Sequence, residues 1–137
     1  MSQSQSQFRF DFEKTYKEID VAGTVYKIAF DDDAMLKYQI ASKEYEAKVQ
    51  EVQTLVPDIE KASVEELKLL NEKQKALFKE TIELFLGDDT FEELYEKAGR
   101  SVIQLTGLLD YLTGLVEEEL KSQSASVQDK YLQNKKK

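Results

Sequence analysis

The chain has 137 residues and a net charge of −8, with 41% hydrophobic and 34% charged residues. This length fits one domain of roughly 100–200 residues, and only five glycines and one proline favour long helices over a loop-rich fold. Cysteine and histidine are absent, which excludes disulfides, thiolate or imidazole metal sites, and catalysis by either residue type. We therefore expect no enzymatic activity, no metal and no cofactor.

The ends of the chain differ in composition from its centre. The Ser/Gln-rich start MSQSQSQ predicts a disordered tail over residues 1–10 and lacks the apolar and basic regions of a signal peptide. Residues 121–137 carry a net charge of +4, whereas the other 120 residues carry −12. We predict a basic, flexible tail at 121–137 and a single domain at 11–120. The acidic body would repel nucleic acid and acidic membranes, so we expect neither as a partner and expect a cytoplasmic protein.

Residues 15–30 alternate apolar and polar side chains, which is typical of β-strands. Ala22-Gly23 separates the two runs and is a candidate two-residue turn, because glycine readily adopts a positive φ. Such a turn would place two residue pairs opposite each other, Val21 with Thr24 and Ile19 with Tyr26. We predict a β-hairpin whose apolar face packs on helices, since an isolated hairpin is only marginally stable.

The run Asp31-Asp32-Asp33 after the hairpin is interpreted as a helix start, where an N-cap and acidic first-turn residues are favoured by the helix dipole. A calcium site is the alternative, but the run lacks the spaced ligands, central glycine and distal glutamate of a calcium loop. Apolar residues then recur every three or four positions, which predicts a helix over about 32–56 that ends before Pro57. Tyr38 and Tyr45 lie on this stripe, which favours a structural role over base stacking.

Three further helices are predicted over about 63–86, 90–98 and 100–120. The segments Ser63–Glu66 and Thr90–Glu93 both have the spacing of a capping box. Gly87 is a suitable C-terminal cap, and Gly99 indicates a break. The predicted fold class is therefore α+β and predominantly α, with an N-terminal hairpin packed on a bundle of about four helices.

The last predicted helix is apolar on more than one side and contains Gly107 and Gly114. One interpretation is a buried core helix whose glycines allow close packing. The other is a partner-binding or oligomer interface. Each glycine costs about 1 kcal/mol relative to alanine in a helix interior, so either interpretation has to account for two of them.

Clustered carboxylates such as Asp88-Asp89, Glu92-Glu93 and Glu117–Glu119 do not predict an acid–base site. They lie at helix starts or on faces predicted to be exposed, whereas glycosidase-type chemistry needs two carboxylates held in one cleft. Arg100 lies between two predicted helices and is expected to form a structural ion pair. An enzyme that uses carboxylates alone stays an alternative to a binding protein.

Several segments, taken in order, carry a family resemblance. They are the hairpin Tyr16–Ile28, Phe30-Asp31-Asp32, Phe85-Leu86-Gly87, Phe91–Tyr95 and Ala98-Gly99-Arg100. Together they resemble the tail assembly chaperones encoded by long-tailed phages and prophages of Gram-positive bacteria. The resemblance covers roughly residues 10–120.

The resemblance implies a protein of the bacterial cytoplasm that binds the tape-measure protein, or tail tube subunits, and is absent from the finished particle. Many members of that family are also made in a second, longer form by ribosomal frameshifting, and the ending Asn134–Lys137 is compatible with an A-rich slippery sequence. We expect binding through surplus apolar surface on the last two helices, around Phe91, Leu94, Tyr95, Leu108 and Leu115. A regulatory adaptor or a structural tail component is the alternative, and homo-oligomer formation is left open.

Overall fold

The computed structural model describes the backbone of residues 7–135 and the side-chain surroundings of residues 7–125. Its elements, in chain order, are strands β1 (Tyr16–Val21) and β2 (Thr24–Ala29) and helices α1 (Asp32–Leu55), α2 (Val64–Leu86), α3 (Phe91–Lys97) and α4 (Val102–Lys135). A short 3-10 turn, Ile59–Lys61, lies between α1 and α2. The predicted fold class, α+β and predominantly α with an N-terminal hairpin on four helices, is confirmed.

The hairpin has the predicted register, with Val21 opposite Thr24 and Ile19 opposite Tyr26 in an antiparallel pair. Ala22 and Gly23 have φ values of 51° and 92°, which is the double positive φ of a type I′ turn and matches the twist of the strands. The turn is also bonded to a helix, because Lys97 Nζ donates to Ala22 O at 3.2 Å and to Thr24 Oγ1 at 2.8 Å.

One hydrophobic core joins the hairpin to all four helices. Ile28 of β2, Ile82 of α2 and Leu112 of α4 are completely buried, and each such side chain contributes about 1.5–3 kcal/mol relative to an exposed one. The buried stripe of α4 follows three- and four-residue steps, as the sequence predicts. It consists of Leu105, Leu109, Leu112 and Val116.

Helices α1 and α2 run antiparallel, because Tyr38 stacks on Phe85 while Lys48, further along α1, bonds Glu80, further back along α2. Buried residues occupy only the half of this pair nearest the hairpin. They are Met35 and Tyr38 in α1 and Phe78, Ile82 and Leu86 in α2. The remainder, residues 42–77, is called the α1–α2 arm below, and Val56 is its one buried residue.

The capping box predicted at Ser63 is present, with Ser63 Oγ accepting from the Glu66 amide and Glu66 Oε1 accepting from the Ser63 amide, both at 3.1 Å. The box predicted at Thr90 is wrong. Thr90 already has helical angles, φ −85° and ψ −21°, so its hydroxyl donates back to Gly87 O at 2.7 Å. Asp31 occupies the N-cap position of α1 without a capping hydrogen bond from its side chain.

The helix ends follow the glycines and the proline. Gly87, at φ 109°, follows α2 and donates its amide to Glu83 O at 2.9 Å. Gly99 and Arg100 have φ values of 70° and 58° and separate α3 from α4. Arg100 forms the expected ion pair, with Glu96 one turn earlier. Helix α1 ends two residues before Pro57.

The interpretation of the last helix as a core helix is supported by its buried stripe, but its predicted end and the predicted role of its glycines are wrong. Helix α4 continues to Lys135 rather than ending near residue 120, because residues 121–135 contain neither glycine nor proline and include the good helix formers Lys, Gln and Ala. A Cβ atom at Gly107 or Gly114 would meet nothing within 4 Å, so these glycines do not serve close packing. Residues 7–14 have no regular structure. The predicted tail residues 1–6 and 136–137 lie outside the described residues.

Candidate partner-binding groove

Three of the five residues predicted to bind a partner lie in the core. Phe91, Leu94 and Tyr95 of α3 are only 2%, 3% and 8% exposed. The rings of Phe91 and Tyr95 stack at 5.3 Å, because this seven-residue helix directs its apolar side inward against α2. A partner cannot contact these side chains while the protein is folded, so this part of the predicted surface is corrected.

The other two predicted residues, Leu108 and Leu115 of α4, are half-buried and pack against the core. They therefore offer little free surface, and the five residues do not form one exposed patch. The most exposed large apolar side chains in the described part of α4 are instead Ile103 and Tyr111. Charging Leu108 or Leu115 would disturb packing as well as any interface.

A groove lies between α1 and α4. Both helices pack on α2 but make few contacts with each other, which leaves a gap of about 600 Å³. Thr81 and Phe85 of α2 form its floor. Its apolar walls consist of Tyr38, Ala41 and Tyr45 from α1 and Leu109, Val116 and Leu120 from α4. We call it the α1–α4 groove.

Tyr38 gives one end of the groove a fixed aromatic surface. Its ring stacks on Phe85 with centroids 5.0 Å apart, and its hydroxyl donates to Ala29 O at 2.9 Å. Burial raises the pKa of Tyr38, and the negative charge of Asp31 raises it further. The side chain therefore stays neutral and bonded to the end of β2 over the physiological pH range.

The rim of the α1–α4 groove is acidic. Burial raises the pKa of Tyr45, and the charge of Asp110 on the facing helix adds to this shift, so the two walls are close enough to interact electrostatically. Lys43, Glu46, Asp110 and Glu117 are the charged lining residues, a net charge of −2. An apolar floor with an acidic rim suits an apolar segment flanked by basic residues.

A second groove, of about 560 Å³, lies on the other side of the α1–α2 pair. On this side of the pair, Lys48 Nζ lies 2.6 Å from Glu80 Oε1 and 3.8 Å from Glu44 Oε2. Its lining is more charged than that of the α1–α4 groove and includes Lys37 and Asp88. We therefore take the α1–α4 groove as the candidate site.

The described residues hold no group of three or more acidic side chains that could bind a metal ion, and no charged side chain is buried among them. Within the same part of the chain, each helix is too short or too polar to cross a membrane. No family model, curated protein or solved structure matches this chain.

Proposed function

We propose that this protein is a phage tail assembly chaperone of the bacterial cytoplasm, without enzymatic activity. It binds a helical segment of the tape-measure protein, or tail tube subunits, while the tail is built. The α1–α4 groove carries the proposal, because grooves with an apolar floor bind the apolar stripe of an amphipathic helix. The motifs that resemble tail assembly chaperones supply the identity of the partner.

The groove has the dimensions of a short helical contact. Leu109 and Leu120 are eleven residues apart on α4, so the wall between them is about 16 Å long at roughly 1.5 Å per residue. This length matches about three turns of a partner helix. A tape-measure protein is a long helical polypeptide whose apolar stripes would be exposed before assembly, and the acidic body of this chain would keep the complex in solution.

A charge placed inside the groove tests this binding. Thr113 is exposed and lines the groove, so Thr113→Lys should leave the fold intact and weaken binding of a purified tape-measure segment by about tenfold or more, because it places a positive charge against an apolar segment with basic flanks. Gln104→Lys is the matched control, because Gln104 is exposed on the same helix and lies nine residues away, on the opposite face. Titration calorimetry with both variants gives the affinities, and circular dichroism checks helix content. Equal affinity of the two variants would remove the groove from the proposal.

The gene provides an independent test of the partner's identity. An A-rich slippery heptamer at the final lysine codons, an overlapping second frame and a very long helical protein encoded downstream would support a tail chaperone. A plain stop codon among unrelated neighbours would instead support a helical adaptor with another partner. Recovery of the protein from purified particles would favour a structural tail component.

A further inference from the structure

The segment before β1 exposes three phenylalanines, two of which, Phe10 and Phe12, contact each other edge to face with ring centroids 4.9 Å apart. Phe8, Phe10 and Phe12 are 104%, 78% and 88% exposed, and they alternate with Arg9 and Asp11. Single exposed apolar residues are common, but three in five residues form a patch that normally marks a binding surface. We call Phe8–Phe12 the Phe segment.

The Phe segment is attached beside the α1–α4 groove. Lys17 Nζ, at the start of β1, lies 3.7 Å from Glu119 Oε2 of α4. Glu119 lies between Glu117 and Leu120, which both line the groove. The chain therefore leaves the hairpin at the Leu120 end of the groove, and the Phe segment is the stretch that follows toward the N-terminus.

The length of the Phe segment fits the groove. Nine residues separate Lys17 from Phe8, so an extended chain can reach about 30 Å at roughly 3.3 Å per residue, well beyond the ~16 Å between Leu120 and Leu109. In extended backbone the alternate residues Phe8, Phe10 and Phe12 share one side. They then span about 13 Å, and all three rings can face the floor of the groove together.

The attachment point sets the orientation of the Phe segment. The attachment point requires Phe12 to lie at the Leu120 end, which brings Arg9 to the end that carries Glu46 and Asp110. Among the described residues Arg9 Nε is bonded to its neighbour Asp11, at 2.9 Å, and both side chains are more than two-thirds exposed. Because an exposed ion pair contributes little free energy, breaking the pair between Arg9 and Asp11 so that Arg9 can contact the acidic rim costs little.

We propose that the Phe segment binds in the α1–α4 groove of its own chain. The structure described here is the open form, and in the closed form the three rings cover Phe85, Val116 and Leu109. A partner helix has to displace the segment. The apparent affinity of the partner is therefore its affinity for the open form multiplied by the fraction of molecules that are open. Binding of the Phe segment does not depend on the proposed function. It needs no tape-measure protein, and the segment would compete with any partner that binds in the groove.

A paramagnetic label on the purified protein tests the closed form without a partner. The chain has no cysteine, so Gln7→Cys provides a single attachment site for a nitroxide outside both the Phe segment and the groove. In the closed form the label lies near the far end of the groove, and the amide signals of Tyr45, Leu109 and Thr113 should lose intensity. The amide of Ile59 in the arm should keep its intensity.

The control variant carries the same label with Phe8→Ser, Phe10→Ser and Phe12→Ser, which changes only exposed residues and should restore the groove signals. Full intensity at Tyr45 and Leu109 in the unmodified segment would overturn the proposal. An intensity loss that disappears on dilution would also overturn it, because the segment would then bind a second copy. A failure of partner binding in the calorimetric test leaves this experiment unaffected, so the two proposals fail separately.

Discussion

Helices α1 and α2 each consist of two unlike halves. Near the hairpin they contribute five buried residues to the core, because β1, β2, α3 and α4 cover this half. In the α1–α2 arm the same stripe continues through Tyr45, Val49 and Val52, yet these residues are only half-buried. An apolar stripe forms a core only where another layer covers it, and the uncovered half remains as surface.

The two halves should therefore differ in local stability. The arm has few buried apolar contacts, and regions of this kind open at a lower free energy than the global unfolding free energy. The capping box at Ser63 and the ion pair between Lys48 and Glu80 are two of the polar contacts that stabilise the arm.

The largest effect is expected from a cavity in the covered half. Ile82 is completely buried, so Ile82→Ala should lower the free energy of unfolding by about 2–5 kcal/mol. Leu70→Ala removes a half-buried side chain from the arm on the same helix and should cost about 1 kcal/mol. Urea denaturation of both variants gives the two values. Equal losses would mean that the arm is as well packed as the core.

A smaller effect is expected at the start of α2. Ser63→Ala removes the acceptor for the Glu66 amide and should lower stability by about 1 kcal/mol, the usual loss for an N-cap serine. Thr90→Ala is a natural control, because the Thr90 hydroxyl makes no N-cap bond and its loss should cost less. Hydrogen exchange should speed up in the first turn of α2 and not near Phe78. A uniform increase along the helix would contradict an independent arm.

The smallest effect is expected from the ion pair that joins the arm to the covered half. The hydrogen bond from Lys48 to Glu80 raises the pKa of Lys48 above 10.5, with burial opposing it. Because the folded state holds this proton more tightly, the pair contributes stability below pH 10.5 and loses it as the pH rises through the raised pKa. Both side chains are substantially exposed, so the coupling should be about 0.2–1 kcal/mol.

A double-mutant cycle with Lys48→Gln and Glu80→Gln measures this coupling. The cycle should give a favourable value at neutral pH and a value near zero above the raised pKa of Lys48. The cycle also cancels the ionisation of other groups, including the seven tyrosines, since it compares only the pair. A coupling that is unchanged at high pH would show that charge does not hold the two side chains together.

Local features of the fold are predictable from the sequence. Ala22-Gly23 determines the hairpin register, because a two-residue loop with two positive φ values admits one pairing. Ser63 and Glu66 determine the start of α2, since each satisfies a free amide of the other. Thr90 has the same spacing but a helical backbone, so the spacing alone was insufficient there.

The candidate site was much less predictable, because it depends on how distant elements pack. A core position and a partner-binding position both favour apolar residues such as Phe91, Leu94 and Tyr95. The sequence does not say whether α2 and the hairpin cover them. The α1–α4 groove exists because α1 and α4 both pack against α2 and make few contacts with each other. The sequence places Tyr38 and Tyr45 on one stripe, but only the tertiary arrangement makes Tyr38 buried and Tyr45 half-buried and brings both into the α1 wall of the groove.

The burial of the hairpin's apolar face by helices also bears on how the protein is synthesised. The first strands to leave the ribosome expose Ile19, Tyr26 and Ile28, whose covering residues belong to helices that are synthesised later. At about 5–20 residues per second, roughly 4–18 s pass between the hairpin and the middle of α4. During that interval the nascent chain carries an uncovered apolar hairpin, and Ile19, Tyr26 and Ile28 stay exposed until the helices that cover them have been synthesised.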